Sequence, residues 1–168
     1  KITVVTGSVY PHLAATLFRV VVGFAGAMVV GIPLGLMMGR SDLVEYIVDP
    51  IIAFGYPAPR IALFPVFLVI FGLGHEAKIA IVFLECLIPL TLGAYYGADS
   101  VSRDFIWSGK NLGADDSRIF REVVLPASLP YIFSGIRTAF PIALLAVVVT
   151  EMISASQGIG YVIVSAIG

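Results

Sequence analysis

The amino-acid sequence predicts an all-α protein, a polytopic transmembrane helical bundle with one long cytoplasmic loop. Three observations predict it. Hydrophobic residues make up 59% of the 168 and charged residues 12%, at a mean hydropathy of +1.02, whereas a water-soluble domain carries about 25% charged residues. The apolar residues gather into four stretches that reach or approach the roughly 20 helical residues a hydrocarbon core requires. A single long polar interruption, residues 99–130, separates the last two.

The first stretch, 20–38, repeats a small residue at every fourth position, Gly23, Ala27, Gly31, Gly35 and Gly39. Such a stripe lets a second helix approach backbone to backbone, and packing within the chain is favoured over a dimer seam. The second stretch, 60–73, is short, is led into by the amphipathic segment 43–54, and is broken by Pro57, Pro59 and Pro65. A bent or partly re-entrant passage is expected there. The third and fourth spans are placed at 79–96 and 131–155. Between them the loop reads as helix, turn, helix. Residues 101–112 form a short interfacial helix, Gly113 breaks it, and Asp115, Asp116 or Ser117 caps a second helix with Ile119, Phe120, Val123 and Val124 on one side. Pro126 is expected to end that helix, and Ser128 to cap the fourth span with Pro130 in its first turn. A merely solvated loop needs neither the apolar stripe nor the two prolines.

Basic residues orient the bundle. With the long loop inside, Arg40, Arg60, Arg103, Lys110, Arg118 and Arg121 face the cytoplasm and Lys1, Arg19 and Lys78 lie outside, as the positive-inside rule requires. Both ends of the chain are then outside. Residues 1–168 read as a single domain truncated at both ends, with at least one further span expected after Gly168 and room for one before Lys1.

Several function classes drop out. Eleven acids balance ten Lys and Arg for a net charge of −1, which is no field for nucleic acid. Cys86 is the only cysteine, so no internal disulfide forms. Gly72-Leu73-Gly74-His75-Glu76-Ala77 mimics a dinucleotide fingerprint but joins two membrane spans. His75-Glu76 lacks a second His, since position 79 is Ile, and Gly109-Lys110-Asn111 lacks the glycine and the hydroxyl of a phosphate-cradling loop. No catalytic residue and no metal ligand is assigned. Two acids lie deep in apolar helices, Glu85 and Glu151, and each is a translocation-pathway candidate because an intramembrane carboxylate costs several kcal/mol unless it meets water or a partner. The bland alternative is a structural pairing or an interfacial position. Arg137, two turns inside the fourth span, can snorkel to the cytoplasmic face.

The loop residues Gly113, Val123, Leu125 and Pro126, a Gly followed ten residues on by an aliphatic-x-Leu-Pro, resemble the cytoplasmic signature of the integral-membrane permeases of binding-protein-dependent ABC importers. The surroundings agree: Thr16-Leu17-Phe18-Arg19-Val20 leading to Gly31-Ile32-Pro33-Leu34-Gly35, Asp49-Pro50, Pro59-Arg60-Ile61-Ala62-Leu63-Phe64-Pro65, Phe71-Gly72-Leu73-Gly74, Lys78-Ile79, and Glu151 followed by Gly158-Ile159-Gly160. Together they are similar to the nitrate, taurine, alkanesulfonate and thiamine-precursor branch. One departure concerns the docking surface, where Trp107-Ser108-Gly109 replaces the usual Glu-Ala-Ala or a close variant; Pro141 and Glu85-Cys86 are also atypical.

The resemblance implies a multi-pass subunit of the bacterial cytoplasmic (inner) membrane, not itself an enzyme and binding no cofactor. Its ATP and Mg would sit in two cytoplasmic ATPase subunits, docked on a coupling helix at Asn111, Leu112, Gly113, Ala114, Asp115, Ser117, Phe120 and Arg121. A second permease copy, most simply as a homodimer, and an extracytoplasmic substrate-binding protein complete the expected partners. A self-sufficient channel or secondary transporter, or a non-transporting scaffold, is the competing reading. The acid excess in the spans favours a cationic or neutral heterocycle over an oxyanion as solute.

Overall fold

The computed structural model describes residues 2–154 and 156–167, with side chains from residue 9 onward, and Lys1, Ala155 and Gly168 lie outside the described residues. Every regular element among the described residues is helical. The chain runs α1 (Ile2–Met38), α2 (Asp42–Gly55), a short tight turn of helix (Arg60–Leu63), α3 (Phe64–Phe71), α4 (Glu76–Asp99), α5 (Arg103–Asn111), α6 (Asp116–Ile119), a wide π turn (Phe120–Val124), α7 (Leu125–Ser154) and α8 (Ile159–Ile167). Three helical runs are long and apolar enough to cross a membrane, Val9–Met38, Glu76–Asp99 and Asp116–Ser154, and Asp42–Gly55 with Arg60–Phe71 makes a fourth if taken as one broken passage. At about 1.5 Å per residue the 24 residues of α4 extend about 36 Å, enough for a hydrocarbon core of about 30 Å.

Two boundaries differ from the sequence expectation. The first span begins well before residue 20, because Arg19 is inside the helix and its charge is met by Glu151. Pro126 does not end the loop helix. The backbone widens before it instead, with Leu125 N–H donating to Phe120 O five residues back, and this looser register makes room for a ring that would press on the preceding turn of a regular α-helix. Asp116–Ser154 is therefore one continuous run. Ser128 is no cap: its hydroxyl is buried and donates to Val124 O at 2.7 Å.

The chain divides into two compact units, and α1, α4 and α7 contribute residues to both. In the unit made of Lys1–Ala27, Ala58–Cys86 and Phe140–Gly168, Phe64, Ala77, Ile81 and Ala146 form the buried core, with Ile61, Phe67 and Leu68 against it. Gly23 lies on α4 there: a Cβ would come within 2.8 Å of Val82. The unit made of Met28–Pro57 and Leu87–Ala139 continues the stripe. A Cβ on Gly31 would lie 3.1 Å from Leu87 O, and one on Gly39 would lie 2.6 Å from Ala98 Cβ. On its other side α4 meets α7 through glycines that the sequence reading did not single out. Gly93 faces Gly135 Cα and Tyr131 O, each at 3.0 Å from a would-be Cβ, and Gly97 faces Ser128 Cα at 2.9 Å. In both seams the missing side chain lets helix backbones touch, which supplies the dispersion contacts that hold helices together in lipid.

Candidate functional site

The loop between α4 and α7 is assembled by local signals. Ser102 caps α5, its hydroxyl accepting from Asp104 N–H at 3.2 Å. At the other end of α5, Gly113 takes φ +85; its N–H donates to Lys110 O and that of Ala114 to Gly109 O, both at 3.0 Å. That pair of bonds with a left-handed glycine is a Schellman stop. Asp115 then caps the next helix, its carboxylate accepting from Arg118 N–H at 3.1 Å.

A buried base carries this loop. Val101, Ile106, Ile119 and Val124 join Leu36, Ala94, Ala98 and Ile132 in one core, with Ala114, Phe120, Val123 and Leu125 packed against it. Above the base the surface is polar and open. Asn111, Gly113, Asp115, Ser117 and Arg121 are exposed, Ala114 and Phe120 are half-buried, and Leu112 at the tip is 89% exposed. Phe105 and Trp107 add further exposed aromatic surface. A groove of about 250 Å³ opens between Gly109, Leu112, Ala114, Arg118, Ile119, Glu122 and Val123. The surface ion pair Arg118–Glu122 at 3.0 Å lies in its wall, and Lys110–Asp116 at 2.9 Å is a second surface pair of the same loop. Of the departure at Trp107-Ser108-Gly109 the structure bears on Gly109 alone, which lies on Ile119, whose Cγ1 would be 3.2 Å from a Cβ.

The two deep carboxylates are placed elsewhere, each against a cation. Arg60 Nε and Nη2 donate to Glu85 Oε2 at 3.1 and 3.0 Å, with both side chains mostly buried. Glu85 is nine residues into α4, about 14 Å along the helix. Arg60 thus belongs to the apolar layer, which corrects its count among the cytoplasmic cations. Glu151 is held by Arg19 Nη1 at 2.5 Å and by the Thr16 hydroxyl at 2.9 Å. Sequence reasoning missed both partners, although an Arg inside or beside an apolar run always calls for an acid at matching depth. It also missed Tyr95, whose hydroxyl donates to Glu45 at 2.6 Å and ties α4 to α2. No group of three metal-ligating side chains occurs among the described residues.

Known proteins share sequence with this chain. The chain is 35% identical to the taurine transport system permease protein TauC of Escherichia coli over 95% of its own length and 58% of that protein's. It is 34% identical to the formylaminopyrimidine transport permease protein ThiX of Halalkalibacterium halodurans, over 90% of this chain and 61% of that one. Against the nitrate import permease protein NrtB of a Synechocystis species it is 34% identical, over 90% of this chain and 55% of that one. The chain thus spans less than two thirds of the length of these curated relatives. Residues 31–168 match the family described as the binding-protein-dependent transport system inner membrane component, and the chain belongs to that family.

Proposed function

We propose that this chain forms the membrane-spanning part of an ATP-driven importer for a small polar solute, and that the turn from Asn111 to Arg121 receives a cytoplasmic ATPase subunit. The observation that carries this reading is the exposed Leu112-Gly113 tip on a base buried among α1, α4 and α7. A partner pressing on that tip moves a packed core and not a free loop, because close-packed interiors transmit displacement. Closure of two ATPases would then draw two such loops together, in a pair of permease copies, and switch the solute path between its two faces by rigid-body motion. An extracytoplasmic binding protein would deliver the solute. ATP and Mg belong to the ATPases.

The relatives' names speak of taurine, nitrate and a formylaminopyrimidine, solutes with no common charge. The acid excess that favoured a cationic or neutral solute also loses its footing, since Arg60 and Arg19 match Glu85 and Glu151. The same pairing disfavours a self-sufficient carrier, whose coupling ion would need one of those carboxylates free.

The test uses the full-length complex. Around Gly113 there is open space, with nothing within 4 Å of a would-be Cβ, so a bulky side chain there meets a partner and not this chain. Replacing Gly113 with Leu is expected to abolish ATPase co-purification or solute-stimulated ATP hydrolysis. Its left-handed φ adds about 1–2 kcal/mol of local backbone strain. Full transport with retained co-purification would defeat the proposal.

A further inference from the structure

The ends of α1 and α4 bring charges of both signs to one place. α1 closes at Met38, with Arg40 in the turn beyond it, and Asp99 is the last residue of α4. Asp42 and Glu45 lie in the first turn of α2, and Arg103 opens α5. These five side chains belong to one compact unit, and with Trp107 they line a cavity of about 330 Å³. Small-molecule sites run from roughly 300 to 1,000 Å³, so the cavity admits a compact polar group.

Two guanidiniums and three carboxylates share this cavity without pairing off. Neither Arg40 nor Arg103 enters an ion pair among the described residues. Glu45 is engaged from another side, accepting from the Tyr95 hydroxyl at 2.6 Å. Arg40, Asp42, Asp99 and Arg103 remain, all exposed, two cations and two anions. Such a set complements a molecule that carries one charge of each sign, since each end then meets its opposite and neither meets only its like.

The cavity also lies at a defined depth. The spanning runs Val9–Met38 and Glu76–Asp99 both end on it, so it sits where the apolar layer gives way to water. The helices that bound it, α2 and α5, carry exposed Leu43, Tyr46, Phe105 and Trp107, the mixture of apolar and amphipathic aromatic side chains that favours the headgroup region. We propose that this cavity binds the headgroup of a phospholipid that is zwitterionic and bears a primary ammonium, as phosphatidylethanolamine does. Arg40 and Arg103 donate to the phosphate, whose oxygens suit the guanidinium fork. Asp42 and Asp99 accept from the ammonium. A choline headgroup has no N–H to give those carboxylates, and a glycerol headgroup brings them no cation. The acyl chains leave the cavity into the lipid beside α2 and α5.

The test reads lipid retention on the full-length permease alone, and so stands apart from the proposed ATPase contact. Native mass spectrometry follows the protein as it is released from nanodiscs of equal parts phosphatidylethanolamine, phosphatidylcholine and phosphatidylglycerol. Phosphatidylethanolamine is expected to be retained about tenfold over either competitor, the factor that one charge-assisted hydrogen bond is worth. Asp42→Asn with Asp99→Asn is expected to erase the preference over phosphatidylcholine, and Arg40→Gln with Arg103→Gln to erase retention of all three. Lys110→Gln, which removes a cation of the same loop that does not line the cavity, is expected to change neither. Equal retention of the three lipids by the parent would overturn the proposal, as would a preference over phosphatidylcholine that survives in either double variant. A comparable loss in the Lys110 variant would reduce the effect to general surface charge and overturn it too. So would displacement of the lipid by inorganic phosphate, which would assign the cavity to a soluble anion.

Discussion

A carboxylate moved from water into hydrocarbon loses several kcal/mol of solvation unless a cation or hydrogen-bond donors replace the water, and Arg60 supplies both to Glu85. The energetic weight of the pair lies in the cost of breaking it. Glu85→Met takes the carboxylate away from the guanidinium, and Arg60→Met takes the guanidinium away from the carboxylate. Each is expected to lower stability by about 2–4 kcal/mol, somewhat under the usual figure for a buried pair because both side chains keep 13–14% exposure. Replacing both residues with Met is expected to restore most of the loss. Thermal unfolding of the four proteins in detergent forms a double-mutant cycle that checks it, and singles as stable as the parent would show the pair to be idle. Solute uptake by a Glu85→Gln variant addresses a different question. A folded E85Q protein that transports normally would leave the Glu85 charge with no part in the solute path.

Helix seams decide which small residues matter. At Gly35 a Cβ would strike the Thr91 carbonyl oxygen and come within 2.8 Å of Ala94 Cβ, and backbone cannot swing aside as a side chain can. Gly35→Ala is expected to destabilise by about 1–3 kcal/mol, the usual range for overpacking. At Gly26 the added methyl would meet the Phe83 ring at 3.4 Å, an ordinary contact, so Gly26→Ala is expected to be neutral or to gain up to about 1 kcal/mol of helix propensity. Parallel melting curves separate the two, and equal shifts would refute the seam. The apolar spans and the Gly113 stop were legible in the sequence because length and a left-handed turn each leave a local mark. Pro126 was misread as a terminator because the π turn that accommodates it depends on the packing of Ile119 and Val124 in the core beneath. The α4–α7 seam escaped notice for a related reason: Gly93, Gly97 and Gly135 act in pairs across two helices, and a pattern on one helix does not reveal its complement on another.

At the scale of the whole molecule, the ion pairs sharpen the argument for orientation. Arg60 and Arg19 are engaged by buried or mostly buried acids, so neither counts toward the charge that selects a side of the membrane. What remains among the described residues outside the apolar layer is Arg40, Arg103, Lys110, Arg118 and Arg121 around the loop, against Lys78 at the far end of α4. Lys78 itself is buried and donates to Leu73 O and Gly74 O at 3.0 and 3.1 Å. The bias is thus steeper than a count of basic residues suggests, and by the positive-inside rule it predicts residues 99–115 in the cytoplasm and the turns at 72–75 and 156–158 outside. In intact cells making the full-length protein with Cys86→Ala, a membrane-impermeant maleimide is expected to label Ser156→Cys and to spare Leu112→Cys, although Leu112 is the more exposed of the two regions' apolar residues at 89%. Permeabilised cells are expected to label both. The reverse pattern would invert the bundle, putting the loop that is proposed to meet an ATPase on the side where no ATP is supplied.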